Sequence, residues 1–298
     1  MKELKYYIPS QFNHGNIDIP RFYNKSKIEK NLKDCHLVFV ASVGREGSGY
    51  ISNLFQNNKH VISNHESKPF CNGKKIINEC LKGNLENRIL KQKFANISSQ
   101  IGRNNATTYL ESNHMFLKTF GNFFLKDFDL PFTLISMRRP IVKTVMSFLN
   151  LNWFSDRYIR SENWVYKINK YSYLPTTDII IEGVVDEIVA YIVSEKINEI
   201  RFKKLSKDRI DYIKFYLPPT KKGLTTLNQY FNNIELQFNL VKKNSRDADK
   251  QGRYIFEDTQ DLIIKFFNKN INELSKRGII FSEESLSFSI EDESWSII

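Results

Sequence analysis

The feature that most constrains this chain is the stretch from His36 to Phe55, HLVFVASVGREGSGYISNLF. Leu37 to Val43 is an apolar run rich in β-branched residues, the pattern of a parallel strand buried on both faces. Gly44, Gly47 and Gly49 break the run, and Ile51, Leu54 and Phe55 then recur at helical spacing. The order is therefore strand, glycine turn, helix. Such a turn directs free N–H groups of a helix N-terminus toward one point, where an anion can bind.

The turn keeps half of a phosphate-binding frame. Gly44 and Gly49 stand where the two glycines of G-x-x-x-x-G-K-[ST] fall. Tyr50 replaces the lysine, and Ile51 replaces the hydroxyl residue that would hold Mg²⁺. Positive charge enters instead at Arg45, and Ser48 brings a hydroxyl. A loop of this kind suits a phosphate ligand other than a metal-bound triphosphate. The same glycines would also serve a tight turn that binds nothing.

A second stretch has matching character. Phe132 to Met137 is another buried-strand run, and it ends in Arg138-Arg139-Pro140. Pro140 suits the first position of a helix. In that helix Lys143, Thr144 and Ser147 follow Pro140 on one face, while Ile141, Val142, Val145, Phe148 and Leu149 cover the other. Arg139 at the helix start and Ser147 eight residues later make a second candidate phosphate site. Alone, this would be an ordinary amphipathic helix preceded by arginine.

Together, the two stretches resemble the sulfotransferases that use 3′-phosphoadenosine 5′-phosphosulfate (PAPS). GREGSGYISNLF is similar to their 5′-phosphosulfate loop in its arginine form, and RPIVKTVMS is similar to their 3′-phosphate motif. The resemblance covers about Leu37 to Leu151, half of the chain. It implies a three-layer α/β fold with a mostly parallel sheet and a P-loop-like βα turn. It implies that the loop Gly44, Arg45, Glu46, Gly47, Ser48, Gly49 and Tyr50 binds the 5′-phosphosulfate, and that Arg139 and Ser147 bind the 3′-phosphate. It also implies transfer of a sulfuryl group to an acceptor hydroxyl or amine, with no metal required.

Two residues past later strand ends are candidates for the general base. His60 to Ser63 reads as a second strand, leading into Asn64-His65-Glu66. Glu66 lies 21 residues after Arg45, about where arginine-type family members carry a catalytic glutamate. Thr107 to Glu111 reads as a third strand, leading to Ser112-Asn113-His114. His114 resembles in position the catalytic histidine of the lysine-type cytosolic sulfotransferases, and its ordinary pKa lies near neutrality. A capping or core histidine would look the same. Arg45 nearby would push the Glu66 pKa down, while burial would push it up. Chemistry favours His114 and family position favours Glu66; Glu66 is taken as the base and His114 as the group orienting the acceptor. Lys118, on the same helix face as His114, reads as exposed.

The rest of the chain is expected to form one domain, residues 1–298. Residues 1–34 are a lead-in, with a short helix from Ser26 to Lys33. Lys74 to Phe94 reads as helix interrupted at Gly83, and Asn96 to Asn105 as a polar loop. Residues 150–175 hold two Trp, one Phe and four Tyr among basic residues, which suits a ring-stacking platform or a lid packed on the core. Thr177 to Glu182 reads as a central strand, and Asp186 to Leu205 as a long helix. Lys207 to Val241 gives no clear pattern beyond a short helix near Thr226 to Phe231. Residues 242–253 are a basic loop that could close on the nucleotide or stay solvated. Glu257 to Lys276 reads as a helix stopped by Gly278, and the acidic tail from Glu283 as peripheral.

Bulk properties narrow the rivals. Net charge is +11, from 44 Lys+Arg against 33 Asp+Glu, which suits polyanions without choosing among nucleotide, nucleic acid and anionic glycan. No apolar run reaches the length of a membrane span, and MKELKYYIPSQFNHGN lacks the apolar core of a signal peptide. Cys35, Cys71 and Cys80 lack C-x-x-C spacing and read as free thiols. The expectation is a cytoplasmic enzyme with PAPS as donor and a glycan, lipid headgroup or small molecule as acceptor. A P-loop nucleotide kinase or NTPase would need Lys and Ser/Thr after Gly49. A nucleic-acid-binding protein would explain charge and aromatics but not two phosphate motifs on strand ends.

Overall fold

The computed structural model describes residues 23–154, 163–231, 234–236 and 256–298. The N-terminal lead-in up to residue 22 and the basic loop 242–253 lie outside them.

A five-stranded, all-parallel sheet forms the centre, in the order β2-β3-β1-β4-β5. The strands are β1 (His36–Ala41), β2 (Val61–His65), β3 (Thr108–Ser112), β4 (Phe132–Arg138) and β5 (Ile210–Tyr216). Helices cover both faces, which makes three layers. Alternation along β1 explains why. Leu37, Phe39 and Ala41 join one core, built with helices α1 (Lys25–Lys33), α3 (Lys74–Leu81), α4 (Arg88–Asn104), α5 (Gly121–Asp127), α6 (Ile141–Asn150), α7 (Val184–Ser206) and α9 (Phe256–Lys269). Val38 and Val40 face the other way, against Ile51, Leu54 and Phe55 of the α2 region (Ser48–Leu54) and Leu227 of α8 (Lys221–Tyr230). Three buried cysteines remain free. Among the described residues no helix is long and apolar enough to cross a membrane.

Four expectations are corrected. The fifth strand is Ile210–Tyr216, not Thr177 to Glu182. The latter is a short 3-10 turn, Thr176–Asp178, followed by extended chain whose Ile180 is exposed. Its backbone is held by a side chain instead of a neighbouring strand: Ile180 N donates to Asn270 Oδ1 at 2.6 Å, and Asn270 Nδ2 donates to Ile180 O at 3.1 Å. The expected loop Asn96 to Asn105 is mostly helix α4, where polar residues are buried because they are hydrogen-bonded. Asn96 Nδ2 donates to Lys68 O at 2.6 Å, and Asn31 Nδ2 donates to Ser98 Oγ at 3.0 Å.

The helix expected over Glu257 to Lys276 is α9 plus α10 (Ile271–Lys276), parted at Asn270. The tail is not peripheral. It forms an antiparallel sheet of β6 (Ile279–Ser282), β7 (Ser287–Ile290) and β8 (Glu293–Ser296), with Phe288 and Trp295 buried. Glu293 Oε2 accepts from Arg138 Nη2 at 2.8 Å, so the tail grips the end of β4.

Candidate active site

Parallel register brings the carboxyl ends of the strands to one edge. Val40 of β1 pairs with Ser112 of β3, Ser112 pairs with His65 of β2, and Ala41 pairs with Ser136 of β4. Ligands of open α/β sheets bind beyond this edge. Arg45, Glu66, His114 and Arg139 all follow these ends, so topology alone gathers the residues singled out above.

The turn after β1 is shaped by what it must pass. Gly44 has φ +97°, and a Cβ there would sit 3.1 Å from His114 Nδ1. Gly47 has φ +83°, and its Cβ would fall 2.3 Å from Leu217 Cδ1. Both positions favour glycine by backbone conformation, and a side chain there would also have to displace the His114 ring or the tip of Leu217. Arg45 (φ 61°) and Glu66 (φ 53°) also adopt left-handed backbone, which costs non-glycine residues energy and concentrates at functional sites.

Within the turn, side chains divide into inward and outward. Glu46 is buried: it accepts from Val43 N at 2.8 Å, and Lys196 Nζ of α7 lies 2.9 Å from its other oxygen. Its carboxylate braces the loop and is turned away from any ligand outside it. Tyr50 is half-buried and stacks on Phe215 of β5, with ring centroids 6.3 Å apart. Ser48 is buried at the start of α2. Arg45 is exposed, and its Nε donates to Ser147 Oγ of α6 at 3.0 Å. Arg139 Nη1 donates to the Arg45 carbonyl. The two sequence motifs therefore touch: Arg45, Arg139 and Ser147 form one basic, hydroxyl-bearing corner. Pro140 caps α6 rather than opening it, and the Val142 amide in its first turn donates to Ile297 O at 2.8 Å.

Glu66 and His114 meet across the same edge, His114 Nε2 lying 3.5 Å from Glu66 Oε1. His65 Nε2 is 4.0 Å from that oxygen, and His65 Nδ1 is within 2.9 Å of Ser112 Oγ. Burial raises the Glu66 pKa; the charges of His65, Lys118 and Arg45 oppose it and Glu111 adds to it, with a net rise. His114 is buried and its pKa falls well below the usual value, from burial first and then from Lys118, His65 and Arg45. Trp164 stacks on its ring at 5.3 Å between centroids, and Trp153 flanks it at 6.3 Å.

The aromatic stretch thus lies against this site and the core. Phe154 and Tyr166 are buried beside Tyr191 of α7, as a packed segment would be, and Tyr171 is exposed. Residues 155–162 lie outside the described ones.

Sequence reasoning misjudged Lys118. It is buried, not exposed, and its Nζ lies 2.8 Å from His114 Nδ1 and 3.4 Å from Val43 O. It also missed the support from α7, where Tyr191 OH donates to Val43 O at 2.6 Å. The available signal was the polar group Ser194-Glu195-Lys196 directly after the apolar run Ile188 to Val193.

Comparison with protein-family models and with curated proteins returns no match for this chain.

Proposed function

We propose that this protein transfers the sulfuryl group of PAPS to an acceptor hydroxyl or amine. The observation that carries the reading is the meeting of the two motifs. Arg45 of the first contacts Ser147 and Arg139 of the second, at the strand edge where Glu66 and His114 also converge. In this reading the loop amides and Arg45 hold the 5′-phosphosulfate, and Arg139 and Ser147 hold the 3′-phosphate. The acceptor oxygen or nitrogen attacks sulfur in line, the S–O bond to the 5′-phosphate breaks, and 3′,5′-ADP leaves with that bond's electron pair. The acceptor's proton passes to Glu66. Charge grows on the bridging oxygen as it leaves, and cationic donors aimed there favour the transition state over the ground state.

A raised Glu66 pKa supports its role, because a base works best when its pKa lies near the working pH. A kinase or NTPase reading has less support. Ile51 of α2, at the position of the Mg²⁺-binding hydroxyl, is fully buried in the core with Val38 and Val40 of β1. Tyr50, in place of the lysine, packs on Phe215.

Thermal melting with 3′,5′-ADP and with ATP–Mg²⁺ tests the proposal. A ligand at a hundred times its dissociation constant stabilises by about 2.7 kcal/mol. The expected result is a higher melting temperature with 3′,5′-ADP and none with ATP–Mg²⁺. Equal stabilisation by both would overturn the assignment.

A further inference from the structure

Lys118 is a charged group beside Glu66 and His114 that the proposed reaction does not use. It lies in a π-helical turn, Phe116–Phe120, four residues after His114. Such wide turns recur at functional sites because they re-aim a side chain. Here the turn brings the Lys118 ammonium within 2.8 Å of His114 Nδ1, with Val43 O at 3.4 Å and the Tyr191 ring 5.3 Å away.

An ammonium has three N–H donors and no lone pair. Against it, His114 Nδ1 must be the acceptor. A neutral imidazole with a lone pair on Nδ1 carries its proton on Nε2. That nitrogen is the one facing Glu66 Oε1. The opposite tautomer would set an N–H against an ammonium, donor to donor, in a buried site.

We propose that Lys118 is a positioning residue that locks His114 in the Nε2–H tautomer, leaving Glu66 as the only proton acceptor of the pair. The second half of this statement rests on the transfer reaction proposed above; the tautomer itself does not.

The charges around His114 agree with the lock. Glu66 and His65 face it from the end of β2, Arg45 from the turn after β1, and Lys118 from its own turn. Trp153 and Trp164 cover the ring without charge. Behind Lys118 stand Glu195 of α7 and Glu46 of the turn after β1. Burial pulls the Lys118 pKa down to about 8, against the upward pull of Glu195, Glu66 and Glu46. The ammonium therefore dominates at neutral pH. Above about 8 a neutral amine can accept as well as donate, and the Nδ1–H form becomes accessible.

Ring ¹⁵N spectra of the histidines test the lock, with His114→Gln assigning the His114 signals. Near neutral pH the wild type should show a protonated Nε2 and an unprotonated Nδ1, with the tautomer ratio changing as Lys118 deprotonates. Lys118→Met removes the ammonium and keeps an unbranched chain. It should mix the tautomers and lower turnover about ten- to a hundredfold, as loss of a group that orients an imidazole does. Affinity for 3′,5′-ADP should stay unchanged. Protonation at Nδ1 in the wild type, or a tautomer ratio that neither Lys118→Met nor deprotonation of Lys118 moves, would overturn the lock. The pH series on the wild type decides the matter if the variant does not fold. Because the spectra need no donor, a locked His114 in a protein that transfers no sulfuryl group would refute the reaction and leave the lock standing.

Discussion

Replacing Glu66 with glutamine separates a proton-carrying role from a structural one. The change keeps shape and removes the basic oxygen 3.5 Å from His114 Nε2. The Glu66 amide, which donates to Ser112 O at 3.1 Å, is untouched, and so are Arg45, Arg139 and Ser147. Turnover should fall about 10²- to 10⁴-fold while 3′,5′-ADP binds as before. The pH dependence has a definite sign. A base must be ionised, and burial holds the Glu66 pKa above its ordinary 4.5. The acid limb of wild-type kcat/KM should therefore lie above the usual carboxylate range, and Glu66→Gln should lack it. Stability should move the other way. A folded pKa above the unfolded one favours the folded state below the unfolded pKa, and that contribution is lost as pH rises through the folded pKa. Glutamine is neutral throughout, so the variant should be more stable than wild type in urea at neutral pH, with the gap closing in acid. Near-normal turnover would remove Glu66 from the chemistry. Lost turnover together with lost stability at neutral pH would make Glu66 a structural residue.

Arg139→Ala should weaken 3′,5′-ADP binding by about 1.5–3 kcal/mol, the worth of a hydrogen bond to a charged group. Arg45→Ala should lower kcat more than it raises KM, and a raised KM with normal kcat would assign Arg45 to binding alone. Lys196→Met leaves the buried Glu46 and Glu199 without their lysine and should destabilise the fold by about 3–5 kcal/mol in urea unfolding; a loss under about 1 kcal/mol would mean that these carboxylates find other partners.

The sequence reveals those parts of the fold that are buried on both sides. β1 and β4 sit in mid-sheet, so every residue from Leu37 to Ala41 and from Phe132 to Arg138 is buried, and apart from polar groups such as Arg138 both stretches read as apolar runs. β5 is an edge strand. Only Phe215 of its seven residues is buried, so Asp211 and Lys214 break the pattern that would have revealed it. Ile179 to Ile181 reads as a strand by composition, yet β5 takes the place beside β4. Likewise, Arg45, Glu66, His114, Arg139 and Ser147 are legible because each follows a strand end or shares a helix face with one that does. Lys118 is not, because a buried lysine and an exposed one are the same letter. Only the turn that aims it at His114 tells them apart.

That lysine belongs to a wider pattern of charge under the strand edge. Lys196 reaches Glu46 at 2.9 Å, Met137 O at 3.2 Å and Glu199 at 3.6 Å. Arg138 Nη1 lies 3.3 Å from Glu199, and its Nη2 donates to Tyr212 OH at 2.7 Å and to Glu293. Tyr191 and Lys118 both donate to Val43 O. Helix α7 thus holds the beginning of the Gly44–Tyr50 turn and the end of β4 at once. Packed apolar side chains could fill the same space, often with equal or greater stability, since buried ion pairs lose much of their attraction to desolvation. Apolar contacts are non-directional, however, and would let the turn rotate against β4. Arg45 and Arg139 stand on those two segments, and in the proposed reaction a nucleotide held at both its 5′ and 3′ ends would need them at a fixed separation. Directional buried bonds at Val43, Glu46, Met137 and Arg138 supply that constraint, one residue or two from each arginine. The polar core beneath the edge is therefore best understood as part of the site's geometry.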